Sequence, residues 1–373
     1  MPETTAMPDS SAAKLDAVSL RRIHHIELWV GNAKQAAYFY RKAFGFDQVA
    51  YMGPETGVHD RASYCLKQGD IFFVLTSPLT HMSPMNIWLN CHGDGVRDLA
   101  FEVADATASF NAAVARGAIP VEIPHDVESF DGAIRRAAVR TYGDTVHSFI
   151  ERGDYEGFLP GFALDTVKGS NVGIHCVDHV VGNVEHHRMD HWCDFYEQVF
   201  DFSRFVSYDD KDICTEFTAL RSQVMADKDR NIKFPINEPA SGKKKSQIQE
   251  YIDFNMAAGV QHVALKTNDI LETISHLRDN GAEFLDVPDS YYDIVWDRVG
   301  DIEEDRQKVR DLKILVDRDD DGYLLQLFTR PLQDRPTFFV EIIQRCGSES
   351  FGKGNFQALF EAIEREQSKR GHL

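Results

Sequence analysis

Three residues in the second half of the chain have the types and surroundings of metal ligands. They are His179 in VDHVVGNV, His262 in GVQHVALKT and Glu341 in RPTFFVEIIQR, each within an apolar run typical of a strand. Two neutral imidazoles and one carboxylate are the ligands of non-haem Fe(II) sites that keep positions open for substrate and oxygen. Their wide spacing and the scarcity of cysteine argue against a zinc finger or a zinc ribbon. If the three side chains converge, they predict an oxygenase that binds one Fe(II) per chain.

Each candidate ligand has an alternative interpretation that the sequence leaves open. A histidine in a strand is more often a core or surface residue than a ligand, and the chain has 15 histidines. His179 and His262 stand out because they occupy equivalent positions in two related segments. A carboxylate inside the apolar run FFVEIIQ needs a partner. A metal would supply one for Glu341, and the alternative is a buried ion pair with Arg330 or Arg335.

An internal repeat indicates which elements must bring these residues together. Residues 23–46 resemble residues 177–202, and residues 95–118 resemble residues 259–282. Each segment has the pattern of an apolar strand followed by a helix. The repeat therefore predicts four strand–helix–strands modules paired into two domains, and the predicted fold class is α+β.

Local signals delimit a helix and a hairpin within this plan. Asn32 is the predicted N-cap of the first helix, and Gly45 is its predicted end. The letters DDDG at residues 319–322 predict the turn of a hairpin. The second strand of this hairpin carries Gln326, which is either a hydrogen-bonded core residue or a donor that lines a pocket.

The sequence divides into four regions. Residues 1–20 are polar and are predicted to form a disordered leader. The repeat predicts a non-catalytic domain at residues 21–157 and a metal-binding domain at residues 173–345, joined by a segment rich in glycine and proline. Residues 346–373 are predicted to form a lid helix and a tail.

The first half lacks the complete ligand set. The position equivalent to His262 is Asp98, so the other first-half candidate, His25, has no second imidazole beside it. Glu151 is the suggested loose counterpart of Glu341. We therefore assign the metal to the second half and a structural role to the first.

Composition disfavours several classes of function. Hydrophobic residues make up 43% and charged residues 27% of the chain, a balance typical of globular proteins. The net charge of -19 argues against nucleic acid and anionic membrane surfaces as partners, because both attract basic patches. No apolar run approaches the about 20 residues that a membrane helix needs. The 6 cysteines show no repeated spacing, which favours reduced thiols and a cytoplasmic location.

The C-terminal segment predicts an amphipathic helix. Phe356, Leu359, Phe360 and Ile363 follow two glycines and fall at helical spacing on one face. This apolar stripe needs a surface to cover. The sharper interpretation is a lid that closes over the substrate and excludes water, and the alternative is a simple packing helix.

Several longer motifs resemble the 4-hydroxyphenylpyruvate dioxygenase family. They are FPINEP, KSQIQEYIDFN, GVQHVAL, DRPTFFVEIIQR and FGKGNFQALFEAIE. The similarity extends from about residue 20 to about residue 366. It implies two domains of paired βαβββ modules, each forming an open, barrel-like sheet of the vicinal oxygen chelate type, and a C-terminal helix.

The resemblance implies an Fe(II)-dependent dioxygenase of tyrosine and phenylalanine catabolism. The implied reaction converts 4-hydroxyphenylpyruvate and O2 to homogentisate and CO2 by oxidative decarboxylation, ring hydroxylation and side-chain migration. The expected assembly is a homo-oligomer, either a dimer or a tetramer. The nearest alternative is a 4-hydroxymandelate synthase, and the others are a ring-cleaving extradiol dioxygenase and a metal-free ligand-binding protein of the same fold.

The resemblance also implies roles for residues at the matching motif positions. The implied metal ligands are His179, His262 and Glu341. The residues implied to take part in catalysis are Gln247, Gln326, Phe328, Phe339, Asn355 and Phe356. The implied substrate-binding residues are Ser222, Asn237, Gln247, Gln261, Gln326, Phe328, Phe339, Phe351, Phe356 and Phe360. Strict strand alternation would point Gln261 away from the face that carries His262.

Overall fold

The computed structural model describes residues 18–209 and 219–371. The strands of the first sheet are β1 (Leu20–Trp29), β2 (Asp47–Met52), β3 (Arg61–Gln68), β4 (Ile71–Pro78), β5 (Gly95–Val103), β6 (Pro120–Ser129), β7 (Gly132–Arg140), β8 (Val146–Glu151) and β9 (Ala163–Val167). The strands of the second sheet are β10 (Ile174–Asn183), β11 (Ser203–Tyr208), β12 (Ala219–Ala226), β13 (Lys233–Ala240), β14 (Gly259–Thr267), β15 (Leu315–Arg318), β16 (Tyr323–Phe328) and β17 (Phe339–Cys346).

Helices connect these strands, and the last helix follows the second sheet. They are α1 (Ala33–Ala43), α2 (Pro84–His92), α3 (Ala106–Ala115), α4 (Met189–Phe200), α5 (Gln247–Asn255), α6 (Ile270–Asp279), α7 (Asp289–Val299), α8 (Arg306–Asp311) and α9 (Phe356–Lys369). Short 3₁₀ turns lie at Pro54–Thr56 and Lys353–Asn355. Within the described ranges, no helix has the length and apolar composition needed to cross a membrane.

The two sheets have the same strand order, which confirms the internal repeat. The first runs β6-β7-β8-β5-β1-β4-β3-β2-β9, and the second runs β11-β12-β13-β10-β14-β17-β16-β15. When one of these two orders is reversed, the strands match one by one. Strands β10 to β13 then correspond to β1 to β4, and β14 to β17 correspond to β5 to β8. The predicted α+β fold of paired βαβββ modules in open, barrel-like sheets is therefore confirmed. Strand β9 lies in the predicted join and extends the first sheet by pairing with β2.

The local signals read from the sequence agree with the structure. Asn32 caps α1 through a side-chain oxygen that accepts the amide of Gln35, and Gly45 follows the helix with a φ of 72°. This positive φ is the left-handed conformation that ends many helices. The DDDG turn joins β15 to β16 as predicted. The predicted disordered leader falls mostly on residues 1–17, which lie outside the described ranges.

One apolar core holds the two sheets together. Helix α4 of the second domain packs against the first sheet, and its Tyr196 hydroxyl lies 2.8 Å from Nε2 of His147 on β8. The same hydroxyl lies 3.0 Å from Oγ1 of Thr141. Phe200 and Phe234 complete the ring cluster around this histidine. The two domains therefore have a buried, aromatic interface.

Candidate metal centre

The three predicted ligands converge on neighbouring strands at the centre of the second sheet. His179 is on β10, His262 on β14 and Glu341 on β17, and the three strands are adjacent. Oε2 of Glu341 lies 3.2 Å from Nε2 of His179 and 3.3 Å from Nε2 of His262. The donor atoms of all three side chains lie within 4.8 Å of one another, and all three residues are buried. Such a set of two imidazoles and one carboxylate can hold a divalent metal on one side and leave its other side open.

Directly before each histidine, an irregularity in strand pairing turns two consecutive side chains to one side of the sheet. In the pairing of β10 with β14, the register skips Asp178 between Val177 and His179. It also skips Gln261 on β14, where Val181 pairs with His262 and the next pair involves Val260. Such a β-bulge places two residues opposite one and breaks the strict alternation of the strand.

The two bulges give each ligand a hydrogen-bond partner from the residue before it. Nδ1 of His179 lies 2.7 Å from Oδ1 of Asp178, and Nδ1 of His262 lies 3.0 Å from Oε1 of Gln261. An Nδ1–H that donates to these oxygens leaves the Nε2 lone pair free for a metal. Both imidazoles therefore have the tautomer and the orientation that metal binding requires. This is the physical reason why Gln261 faces the site, against the expectation from strict alternation.

The charges at the centre also suit a cation. Burial would raise the pKa of Glu341, but His179 and His262 hold it at about 2, so the carboxylate is ionised. Burial lowers the pKa of His262 and favours its neutral form. Burial also opposes protonation of His179, yet the Glu341 and Asp178 carboxylates raise its pKa. Arg330 and Arg335 bond elsewhere, to Glu283 and to backbone carbonyls, so the alternative ion pair with Glu341 is wrong.

The ligands form one wall of a pocket with an empty volume of about 580 Å³. Its opposite wall consists of the inner faces of β12 and β13 and one face of α9. The lining residues besides the ligands are Val181, Tyr208, Leu220, Ser222, Val224, Pro235, Asn237, Gln247, Gln261, Phe328, Phe339, Phe351, Phe356, Leu359, Phe360 and Ile363. A concave, mostly apolar pocket with a few polar groups is typical of a site for a small organic molecule.

Comparison with known proteins gives this centre a family context. The Glyoxalase/Bleomycin resistance protein/Dioxygenase superfamily matches residues 22–144 and 177–327. The protein named 4-hydroxyphenylpyruvate dioxygenase from Neurospora crassa is 47% identical, covering 98% of this chain and 96% of its own length. Proteins of the same name from Yarrowia lipolytica and Xenopus tropicalis are 48% and 46% identical, covering 95% and 94% of this chain and 94% and 92% of their own lengths. The chain belongs to the 4-hydroxyphenylpyruvate dioxygenase family.

A solved structure supports the same relationship. A triple mutant of 4-hydroxymandelate synthase from Streptomyces coelicolor superposes with a TM-score of 0.84 at 31% identity. The match covers 94% of this chain and 99% of that one. The fold of this member of the dioxygenase family is therefore shared over almost its whole length.

Most residues singled out by the resemblance to the dioxygenase family line the pocket. They are Ser222, Asn237, Gln247, Gln261, Phe328, Phe339, Phe351, Phe356 and Phe360. Ser222 and Asn237 face each other across β12 and β13. The ring of Phe339 stacks on His262 with centroids 4.7 Å apart, and the ring of Phe351 lies edge-on to His179 at 5.0 Å.

Two of the predicted residues do not line this pocket. Gln326 lies on β16 beneath Gly352. A Cβ added to Gly352 would meet the side-chain amide nitrogen of Gln326 at 2.4 Å. That nitrogen is buried without a hydrogen-bond acceptor among the described residues. Asn355 turns away from the pocket, and its Oδ1 accepts hydrogen bonds from Tyr291 and Arg298 of α7. It fixes the start of α9 to the rest of the domain.

Sequence reasoning missed several residues around the centre. Leu359 and Ile363 were read only as part of a helical stripe, and Tyr208 and Leu220 were not singled out, yet all line the pocket. Asp178 was also missed, although its position directly before a predicted ligand was a usable signal. A carboxylate beside a ligating imidazole is a common partner in metal sites.

The first sheet has a different set of groups at the equivalent positions. Asp98 occupies the place of His262, as predicted, but the pairing of β5 with β8 puts Ser148 at the place of Glu341. The suggested correspondence of Glu151 with Glu341 is therefore wrong. Arg136 reaches into the centre, with Nη2 3.4 Å from Oδ2 of Asp98 and 3.1 Å from Oγ of Ser148. A guanidinium thus stands close to where the second sheet has its ligands.

Proposed function

We propose that this protein is an Fe(II)-dependent dioxygenase that converts 4-hydroxyphenylpyruvate and O2 to homogentisate and CO2. The observation that carries this proposal is the buried set of His179, His262 and Glu341 facing an aromatic pocket. Both oxygen atoms of O2 end in homogentisate, one in the new carboxyl group at the former keto carbon and one as the new ring hydroxyl. The side chain shortens by the carbon lost as CO2 and migrates to the neighbouring ring carbon.

The donor set suits Fe(II). Two imidazoles, each with Nδ1 in a hydrogen bond and Nε2 directed at the centre, and one ionised carboxylate match the ligands that this ion takes in oxygenases. Bound Fe(II) would supply coordination positions for O2 and for a 2-oxo acid and would pass electrons from the substrate to O2, chemistry that amino acid side chains lack. The protein contributes the orientation of the substrate and a dry surrounding.

The polar groups of the pocket are neutral, which suits a substrate with a phenol. Ser222, Asn237, Gln247 and Gln261 offer hydroxyl and amide groups that both donate and accept hydrogen bonds. We propose that they bind the oxygen atoms of the substrate. Because none of them titrates in the physiological range, the hydrogen bonds that they offer to the phenol do not depend on pH.

The aromatic residues would fix the ring of the substrate. Phe339 and Phe328 lie beside His262, with ring centroids at 4.7 and 5.9 Å from that of the imidazole. Phe351 approaches the other imidazole from the lid side. Gln326 and Asn355 lie outside the pocket lining, so we propose that they act on catalysis by holding the segment that leads to α9.

Helix α9 would exclude water from the reaction. Its residues Phe356, Leu359, Phe360 and Ile363 all face the pocket, as expected for a cover. An oxidising reaction needs such a cover because water and stray reductants would otherwise compete with the bound substrate. We propose that α9 opens for substrate entry and closes for turnover.

Product identification tests the proposed reaction. Protein loaded anaerobically with Fe(II) is mixed with 4-hydroxyphenylpyruvate, exposed to O2, and its products are analysed by chromatography and mass spectrometry. Homogentisate and CO2 in equal amounts are expected. Because the solved neighbour is a 4-hydroxymandelate synthase, that product is the second candidate, and its formation in place of homogentisate would overturn the proposal. A ring-cleaved product, or binding without turnover, would overturn it as well.

We further propose a cytoplasmic location and a homo-oligomeric assembly, either a dimer or a tetramer. The cysteines within the described ranges, Cys65, Cys91, Cys176, Cys193 and Cys346, are all free thiols, which suits a reducing compartment. Light scattering of the purified protein measures the assembly, and a mass of one chain would contradict it.

A further inference from the structure

A buried arginine stands behind the metal centre. Arg345, near the end of β17, donates from Nε to Oδ2 of Asp178 at 2.7 Å and from Nη2 to Oδ1 at 2.8 Å. Both side chains are almost fully buried. The same Oδ1 accepts from Nδ1 of His179 at 2.7 Å. A two-pronged pair of this kind fixes the plane of a carboxylate as well as its position.

The same arginine holds the segment that leads to the lid. Its Nη1 donates to the carbonyl oxygens of Ser348 and Ser350 at 3.1 and 2.6 Å. Its guanidinium lies 5.3 Å from the ring centroid of Phe351, and that ring meets His179 edge-on. Arg345 therefore contacts both the partner of a metal ligand and the backbone from which α9 continues.

The first domain contains an internal control for this arrangement. Strand pairing makes Arg152 the counterpart of Arg345, and its Nη2 donates to the carbonyls of Tyr155 and Gly157, three and five residues later. The next residue, Phe158, packs on His25 with ring centroids 5.6 Å apart. The spacing matches that in the second domain, residue for residue. The hydrogen bonds from the arginine to the backbone of the following segment are therefore a property of the fold.

The carboxylate is what the first domain lacks. At the position of Asp178 it has His24, whose Nδ1 lies 2.8 Å from Nδ1 of His25. A second imidazole can neither pair with an arginine in two places nor stabilise a positive charge on its neighbour. Among the residues that the structure describes, a carboxylate–arginine pair at this position thus occurs only in the domain that has the ligand set.

The pair of Asp178 and Arg345 also stabilises a buried negative charge. The buried Asp178 carboxylate accepts two hydrogen bonds from Arg345 and one from His179, which compensate for its loss of water. An ionised Asp178 can keep the proton of His179 on Nδ1. Removing the arginine would leave a buried carboxylate without its main partner, which is strongly unfavourable.

We propose that Asp178 and Arg345 are positioning residues that link the orientation of the metal ligand His179 to the closure of the C-terminal lid. The inference deepens the proposed function and rests on it for the identity of the metal and the substrate. A metal on Nε2 strengthens the hydrogen bond from Nδ1 to Asp178. Because Asp178 and the lid segment share one guanidinium, metal binding and lid order stabilise each other.

The first test compares metal affinity in matched variants. Arg345→Lys keeps the positive charge but loses the two-pronged hydrogen bond to Asp178. Asp178→Asn removes the charge of the carboxylate. Arg152→Lys makes the same arginine change in the first domain. Titration with Co(II), a redox-stable probe with visible absorption, gives the Kd and the ligand field of the site. We expect the Kd to rise about 10- to 100-fold for the first two variants and to stay within about twofold for Arg152→Lys, with circular dichroism confirming that each is folded.

The second test measures the link to the lid. Hydrogen exchange of residues 346–371 is compared with and without Co(II). In the parent, metal should slow exchange in this segment, and in folded Arg345→Lys it should not. If Arg345→Lys does not fold, the double variant Asp178→Asn/Arg345→Met is used instead. It removes both charges and therefore leaves no buried carboxylate without a partner. Its loss of affinity should be less than the product of the single effects, because the two residues act as one unit.

The outcomes separate this inference from the proposed function. Unchanged Co(II) affinity in the folded Asp178 and Arg345 variants overturns the positioning role, as does an equal loss in Arg152→Lys. Metal-dependent protection of the lid that survives in those variants overturns the link. Failure of the parent to bind Co(II), or to form homogentisate with Fe(II), instead contradicts the proposed function. A loss of affinity confined to the second-domain variants supports the inference whatever product is formed.

Discussion

The two histidines proposed as metal ligands depend on the residues directly before them. Asp178 and Gln261 are not ligands, yet each accepts a hydrogen bond from the Nδ1 of the following imidazole. A bulge at each position makes this contact possible. At this scale the site is therefore built from two dipeptides and one carboxylate, rather than from three isolated side chains.

The ligands themselves give the first prediction. Substitution of His179, His262 or Glu341 by Ala should abolish turnover, and the two histidine variants should lose bound metal, because each removes one of three donors. His25→Ala changes the equivalent residue of the first domain and should leave metal content at one ion per chain. Metal analysis and product assays measure both effects. Loss of metal from the His25 variant together with retention in the His179 variant would show that the wrong half was assigned.

The phenylalanines beside the imidazole give a second prediction, which concerns the product rather than the rate. Phe339→Leu or Phe328→Leu should loosen the substrate ring and release partly reacted products such as 4-hydroxyphenylacetate, because catalysis depends on a positioned target. The yield of homogentisate per O2 consumed measures this. Phe72→Leu, in the first domain, is the control and should give the parent yield. An unchanged yield in both pocket variants would rule out the positioning role of these rings.

At the scale of elements, the C-terminal helix completes the pocket. Four residues of α9 line it, and Asn355 anchors the start of the helix to α7. The segment before the helix contains Gly352, which has a φ of 75° and lies against the amide of Gln326. A cover with a fixed hinge on one side can open by rotation about that hinge.

Truncation tests whether α9 is a lid. Removal of residues 351–373 should leave a folded protein that binds metal but produces little homogentisate per O2, because water reaches the reaction. Circular dichroism, metal analysis and oxygen uptake distinguish the outcomes. Normal homogentisate production would eliminate the lid, and loss of folding would identify α9 as a packing helix.

A single glycine gives a finer test of the same element. A Cβ at Gly352 would meet the Gln326 amide at 2.4 Å, so Gly352→Ala should displace the lid segment and lower kcat several-fold. The left-handed φ alone costs an alanine about 1 kcal/mol. Gly153→Ala is the matched control, since Gly153 has a φ of 52° with no atom within 4 Å of the added Cβ. Equal kcat values for the two variants would contradict the prediction.

At the scale of the whole molecule, the two domains share one architecture but carry different side chains at the centres of their sheets. The inner face of the first sheet carries Arg136 among Asp98 and Ser148, while the second carries two imidazoles and a carboxylate. Burial raises the pKa of Asp98 to about 6. The first domain nevertheless contributes to the second, because its aromatic residues pack into the shared core.

The core between the domains gives a prediction about pH. His147 is buried beside Tyr196 of the second domain, and burial lowers its pKa from 6.5 to about 4. Between these values the unfolded chain binds more protons than the folded protein, so the free energy of unfolding falls as the pH falls from 6.5 towards 4. The loss from this group should be about 2 kcal/mol at pH 5.

Urea unfolding at pH 7 and pH 5 measures this contribution. His147→Gln cannot be protonated in this range and should lose less stability between the two pH values than the parent does. Other buried histidines, such as His24, retain their own share in both proteins. An identical pH dependence in parent and variant would show that His147 is not a source of the acid sensitivity.

The sequence alone identified the candidate ligands, the repeat and the principal turns. Asn32, Gly45 and the DDDG turn act through local geometry, which a short window of sequence contains. His179 and His262 could be recognised because the repeat relates their positions. These features depend on near neighbours or on similarity between segments, and both can be read without a structure.

Only the tertiary structure decided the finer arrangement of the site. Gln261 faces the metal centre and Ser148 replaces the expected Glu151 because strand registers and bulges set which residues face inward. Gln326 and Asn355 lie outside the pocket for reasons of packing against Gly352 and α7. Register and packing are properties of chain segments distant in sequence, and a one-residue shift reverses the face of a side chain. The residue types therefore specify the chemistry, while non-local pairing specifies which of them can take part in it.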